Sequence, residues 1–136
     1  DGQSLFRIVT PDNEAGPVAH RIRALHWGWL PRDEADTQPF PNIPLERTSR
    51  TGLTHRRGTL SMARYHEGCS GPSFFVCVED DPEFDDGGRR HPDGHGFAAF
   101  GHVVEGDAVI DRLHAHAEPQ PWLRRRVPIL SVRRIG

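Results

Sequence analysis

Glycine and proline break this chain into short pieces, and that punctuation constrains its fold more than any other feature. Gly 14 and Pro 12 make up about a fifth of the 136 residues, so turns and long loops must separate short apolar runs. The runs that remain are rich in β-branched and aromatic residues. Ser4-Leu5-Phe6-Arg7-Ile8-Val9 reads as a strand that breaks at Pro11-Asp12-Asn13. Val18 to Trp29 reads as a second strand, with Ile22, Ala24 and His26 on one parity; helix is the competing reading. Residues 31–58 hold four prolines and read mostly as loop, a length usually tied to function.

Gly58-Thr59-Leu60-Ser61-Met62-Ala63-Arg64 reads as a strand. So does Ser73-Phe74-Phe75-Val76-Cys77-Val78, apolar enough for burial on both faces. Tyr65 to Pro72 is a loop between them, and Glu79 to Gly96 is a long acidic, glycine-rich excursion. Phe97 to Val104 is strand-like. Gly106-Asp107 then opens a helix with Val109, Ile110 and Leu113 on one face and Asp107 in its favourable first turn. Glu118 to Pro121 is a linker, and Val127 to Arg133 reads as a final strand. No internal repeat interrupts this order. Several strands and one late helix predict a mainly β chain, an antiparallel β-barrel or sandwich with a capping helix.

Charge and length exclude several classes. A net charge of -2 argues against a dedicated nucleic-acid binder. The Arg124-Arg125-Arg126 run, with Arg133-Arg134, therefore reads as a solvated strand edge. All 17 basic residues are arginine, a composition bias rather than chemistry. No run approaches the roughly 18 apolar residues of a membrane span. Cys69 and Cys77 are too few for a disulfide framework and lack metal-ligand spacing. The histidines at His91, His95, His114 and His116 also lack zinc spacing. No nucleophile constellation stands out in the sequence.

Three ordered blocks give the chain a family likeness. Gly58-Thr59-Leu60-Ser61-Met62-Ala63-Arg64, then Ser73-Phe74-Phe75-Val76-Cys77, then Phe97-Ala98-Ala99-Phe100-Gly101-His102-Val103-Val104-Glu105-Gly106 resemble the cyclophilin-type peptidyl-prolyl cis-trans isomerases. The loop Ser49 to Arg57 and the insert Asp86 to Gly94 resemble bacterial members. The resemblance implies a cyclophilin-like barrel over residues 1–136, without the two strands and helix that precede the arginine strand in that family. It implies X-Pro isomerisation in protein folding, with no cofactor and no metal. Its partners would be proline-containing polypeptides, with neither nucleic acid nor membrane. The chain would be a monomer unless a partner completes the barrel. It carries no signal stretch at Asp1, so cytoplasm is expected, with periplasm open if a leader preceded it.

The chemistry of that reaction can be stated physically. Amide resonance holds an X-Pro bond behind a barrier of roughly 20 kcal/mol. A catalyst must favour the twisted amide over both planar forms. In the twisted state the prolyl nitrogen regains a lone pair, which a fixed guanidinium can engage while an apolar pocket holds the ring. The resemblance implies Arg7, in Leu5-Phe6-Arg7, as that donor; a strand-edge ion pair is the plainer alternative. It places Phe75, Phe97 and Phe84 in the proline pocket. Met62, Ala63 and Arg64 fall at its rim, and Phe74 and Phe100 in the core.

Departures from the family pattern cluster near the site. His26 stands where a glutamine usually orients the arginine. Arg64 replaces a rim asparagine, as in some bacterial members, and Ser73 replaces a glutamine or glutamate. The usual pocket indole is missing, with Glu83 near its position. These changes support an alternative function, a catalytically weak module or chaperone that binds proline segments.

Overall fold

Side-chain alternation along short strands decides the layering of this molecule. The computed structural model describes residues 2–31, 33 and 35–136. Its elements are β1 (Ser4–Val9), β2 (Ala24–Gly28), β3 (Ile43–Pro44), α1 (Thr48–Thr51), β4 (Thr59–Met62), β5 (Cys69–Ser70), β6 (Ser73–Cys77), β7 (Ala98–His102), α2 (Asp107–His114) and β8 (Trp122–Pro128). A 3₁₀ turn at Pro82–Phe84 sits within the long acidic excursion. The chain is mainly β, as the run pattern predicts.

Six strands form one antiparallel sheet in the order β7-β4-β6-β2-β1-β8. Period-two alternation gives it two apolar faces. Leu5, Ile8, Leu25, Val76 and Val78 join Ile110 of α2 in one cluster. Val9, Ala24, Ala63, Phe75 and Cys77 join Phe84 and Phe97 in the other. The helix therefore covers one face, and the aromatic side of the long excursion covers the second. Among the described residues no helix is long and apolar enough to cross a membrane.

Several expectations are corrected. Residues 18–23 lie outside β2, because only Ala24–Gly28 finds a ladder partner, on β1 and β6. The loop 31–58 contains β3, which pairs with β5, and the single turn α1; Arg32 and Glu34 lie outside the described residues. The final strand is Trp122–Pro128 rather than Val127 to Arg133. It is the segment from Trp122 that meets β1, leaving Leu130 and Val132 exposed beyond the ladder. The arginines 124–126 do lie exposed on this edge strand.

Phe100 is not in the core. Leu60 pairs with Gly101 and Ser61 with Ala99, so Phe100 is the extra residue of a bulge in β7 and projects half-exposed. It meets Phe74 edge-on with ring centres 6.1 Å apart. In α2, Ile110 is buried but Val109 is exposed, so the buried stripe is narrower than expected. Arg57 holds the start of α2 by hydrogen bonds of 2.8–3.0 Å to the Asp107 and Asp111 carboxylates.

Candidate functional site

A single bulge decides which face of the sheet Arg7 takes. Along β1, Leu5 pairs with Trp27 but Arg7 pairs with His26, so Phe6 is an inserted residue. In a regular strand Leu5 and Arg7 would share a face. The insertion turns Arg7 to the side opposite Leu5, the side of Val9, Ala24 and Phe75. Phe6 itself is buried, with its ring 4.7 Å from that of His26 and stacked 5.9 Å from Trp122.

On that side lies a cleft of about 360 Å³, lined among others by Arg7, His26, Ala63, Arg64, Phe75, Phe84, Phe97 and Trp122. Its floor is three mutually packed phenylalanines. Phe75 and Phe84 lie 4.8 Å apart, and Phe97 meets both edge-on at 5.4 and 5.5 Å. Such edge-to-face packing fixes ring orientation beyond simple burial. Phe75 comes from β6. Phe84 comes from the 3₁₀ turn, whose cap is Asp81 accepting from the Glu83 amide at 3.1 Å. Phe97 follows Gly96, and its amide donates to the Phe84 carbonyl at 2.8 Å.

Beneath the floor, Ser61, His55 and Asp85 stand in line. His55 Nδ1 is 2.6 Å from Asp85 Oδ1, and Nε2 is 2.8 Å from Ser61 Oγ. The sequence reading finds no such constellation, because the three residues come from separate segments. Ser61 is fully buried, so it is sealed from any substrate. His55 instead supports the floor, stacked 6.1 Å from Phe75 and tilted 5.5 Å from Phe84. Burial pushes its pKa down, against the opposing pull of Asp85.

The remaining expected residues divide. Ala63 and Arg64 line the cleft. Arg64, however, is wholly buried and committed: it makes a two-pronged pair with Asp93 at 2.6 and 2.7 Å and donates through Nε to Gly96 O at 2.7 Å. Its guanidinium lies over Phe97 at 5.6 Å. Arg64 thus braces the wall and has little left to offer a ligand. Met62 pairs with Phe74 and shares the parity of Leu60, away from the cleft. Ser73 is buried behind the cleft and shares a hydrogen bond of 3.1 Å with His26 Nε2. Burial, and then the Arg7 charge, lower the pKa of His26 to about 3, so the ring is neutral.

Arg7 lines the cleft and makes the ion pair that is the plainer expectation. Its Nη2 donates to Glu14 Oε1 at 2.9 Å, an ion pair, while its Nε is buried with no protein partner. Its guanidinium lies 5.4 Å over the Trp122 ring. Burial lowers its pKa, and Glu14 pulls it back up. Glu14, Arg90 and Trp122 are site residues that the sequence reading misses. Trp122 brings an indole to the cleft from β8. Glu83 pairs with Arg89 at 2.9 Å and does not line the cleft. Among the described residues, no group of three or more His, Cys, Asp or Glu side chains could hold a metal ion.

A mainly antiparallel sheet with one capping helix and an arginine above a phenylalanine-floored cleft defines the class, and comparison with known proteins agrees. Residues 28–134 match the family model described as cyclophilin type peptidyl-prolyl cis-trans isomerase/CLD. The chain belongs to that family. It is 40% identical over 77 residues to peptidyl-prolyl cis-trans isomerase A of Dickeya dadantii (strain 3937), covering 56% of this chain and 38% of that protein. It is 31% identical over 86 residues to peptidyl-prolyl cis-trans isomerase B of Escherichia coli (strain K12), covering 62% and 52%. It is 34% identical over 71 residues to peptidyl-prolyl cis-trans isomerase cyp18 of Streptomyces antibioticus, covering 52% and 42%. The chain spans about half the length of these relatives or less.

Proposed function

We propose that this chain catalyses cis–trans isomerisation of X-Pro peptide bonds in polypeptides, with Arg7 donating to the prolyl nitrogen of the twisted amide. One observation carries the reading: the Arg7 guanidinium, held to Glu14 through Nη2, lines an apolar cleft floored by Phe75, Phe84 and Phe97. The phenylalanines suit a proline ring, which is apolar and has no N–H to satisfy. A guanidinium N–H suits a lone pair that exists only in the twisted state, so it favours that state over either planar form. No covalent step is needed. Arg7 and His26 precede the matched segment at residue 28, and their roles rest on their place in the cleft.

A second reading is supported by His26. Where the family pattern has a flexible amide, this ring is buried and tied to Ser73. A cleft with that substitution could bind proline segments with little turnover.

Exchange NMR on a short X-Pro peptide separates the two. Acceleration by the protein that falls at least about tenfold in Arg7→Ala, a loss near 1.4 kcal/mol, supports the isomerase with Arg7 as donor. Equal acceleration by both proteins removes Arg7 from the mechanism. Peptide resonances that shift or broaden without exchange favour the binding module.

A further inference from the structure

The Arg7 side chain does not hold itself. It reaches the cleft from a bulge, where backbone pairing gives the least control. What fixes it is a carboxylate from the Pro- and Gly-containing loop between β1 and β2. Glu14 Oε1 accepts from Arg7 Nη2 at 2.9 Å and from Arg90 Nη2 at 2.6 Å, and its Oε2 accepts from Arg90 Nη1 at 2.8 Å. Glu14 and Arg90 are nearly buried, with side chains 7% and 12% exposed.

We propose that Glu14 is the positioning residue of Arg7, and that Arg90 is the brace that holds Glu14 in place. The proposal rests on the isomerase reading above and adds to it the group that aims the donor.

Three observations support it. First, Arg90 is itself anchored at both ends. Its amide donates to Glu83 O at 3.1 Å and its Nη1 donates to His20 O at 3.1 Å. The brace therefore links the excursion 79–96 to the loop that carries Glu14. Second, Glu14 takes the Arg7 guanidinium through Nη2 alone, at the side of the cleft that Arg7 lines. A clamp that took every donor would quench the residue; this one holds the group by a single nitrogen. Third, the hydrogen bond of His26 goes elsewhere. His26 faces Arg7 in the ladder, but its Nε2 is engaged by Ser73.

The charges are consistent with a clamp. Burial alone would push the Glu14 carboxyl up, yet the hydrogen bonds and charge of Arg90, joined by Arg7, hold it below its ordinary range. Glu14 thus stays ionised at neutral pH, between two arginines that would otherwise repel each other. A preorganised donor avoids reorientation during the reaction, and small misplacements of such groups are costly.

The test uses two variants, because Glu14→Gln alone leaves two buried arginines facing each other and can fail to fold. The pair Glu14→Gln with Arg90→Met removes both charges and keeps the bulk. Two readouts are taken on the folded proteins. One is the rotation rate about the Cζ–Nη bonds of Arg7, read from arginine side-chain NMR. The other is kcat and peptide Kd for an X-Pro peptide. The expected result is faster Arg7 rotation together with a kcat loss of about tenfold or more, and a Kd changed by less than about twofold.

Slow Arg7 rotation in the folded double variant overturns the proposal, because the clamp is then not what holds Arg7. So does full kcat with a loosened Arg7, because positioning then does not matter. A kcat loss without a loosened Arg7 overturns it too, since the effect is then general. An inactive wild-type protein instead overturns the isomerase reading itself, and the positioning role with it.

Discussion

The Arg7 guanidinium lies 5.4 Å over the Trp122 indole, and the same indole is stacked 5.9 Å from Phe6 on its neighbouring residue. Two adjacent residues of one bulge thus share one aromatic partner. The register explains it. Leu5 pairs with Val127, but Arg7 pairs with Trp122, so β8 bows away across residues 123–126 and returns beside the bulge. Glu14 fixes the guanidinium at one edge and Trp122 supports it from one face.

Trp122 should therefore contribute to the reaction without touching the prolyl nitrogen. A cation over an indole gains about 1 kcal/mol at a half-exposed site. Trp122→Ala is expected to lower kcat/KM for an X-Pro peptide about fivefold, and Trp122→Phe by less. Exchange NMR on the peptide measures both. Unchanged values in Trp122→Ala would remove this residue from the site.

Part of this arrangement was legible in the sequence and part was not, for physical reasons. Phe75, Phe97 and Ala63 follow from the short motifs that carry the family resemblance, and the cleft does bring them together. The helix at Asp107–His114 followed from its pattern, though Val109 turned outward. The bulge at Phe6 left no local signature, so period two alone would place Arg7 with Leu5, on the helix-covered face. Glu14 and Arg90 are 76 residues apart in sequence, and nothing near either one announces the other. Trp122 depended on the register of the last strand, which apolar alternation placed five residues too late. Arg64 shows the reverse case. Its place at the rim was readable, but not that Asp93 and Gly96 consume its donors.

His26 makes stability depend on pH. Its ring is neutral in the folded protein, with a pKa of about 3 against an ordinary 6.5. Between those values the unfolded chain binds a proton that the folded chain does not. Folding stability is thus intact above pH 6.5 and falls as pH drops toward 3, by about 1.4 kcal/mol per pH unit from this residue. Urea unfolding across pH 4–6.5 should show that slope, and His26→Gln should reduce it by about one proton. A slope identical in the variant would mean that His26 is not held neutral.

Asp93 should be worth more than a surface ion pair. Its partner Arg64 is fully enclosed, so Asp93→Asn leaves a buried cation without its counter-charge and without one of the two carboxylate oxygens it donates to. Removing one side of a buried pair costs about 3 kcal/mol or more. Arg64 holds the Asp93 carboxyl well below its ordinary 3.8. This contribution is complete above about pH 4 and is lost as pH falls through the depressed value. Chemical denaturation of Asp93→Asn at neutral pH measures the loss, and a cost below about 1 kcal/mol would place the pair with ordinary surface contacts.

Gly96 tests whether the phenylalanine floor depends on backbone contact. It sits at a φ of +64°, where a Cβ would overlap the Phe84 and Asp85 carbonyls. No flexible side chain is there to give way. Its own carbonyl accepts from Arg64 Nε at 2.7 Å, and the next amide, that of Phe97, donates to Phe84 O at 2.8 Å. Gly96→Ala must then either strain this backbone or separate Phe97 from Phe84. The expected cost is about 2 kcal/mol or more, read as a lower urea midpoint with unchanged slope. Binding of an X-Pro peptide should weaken in the same variant, because the edge-to-face contact of Phe97 with Phe84 shapes the floor of the cleft. A Gly96→Ala protein with wild-type midpoint and peptide affinity would show that the loop shifts freely and that the floor does not rest on it.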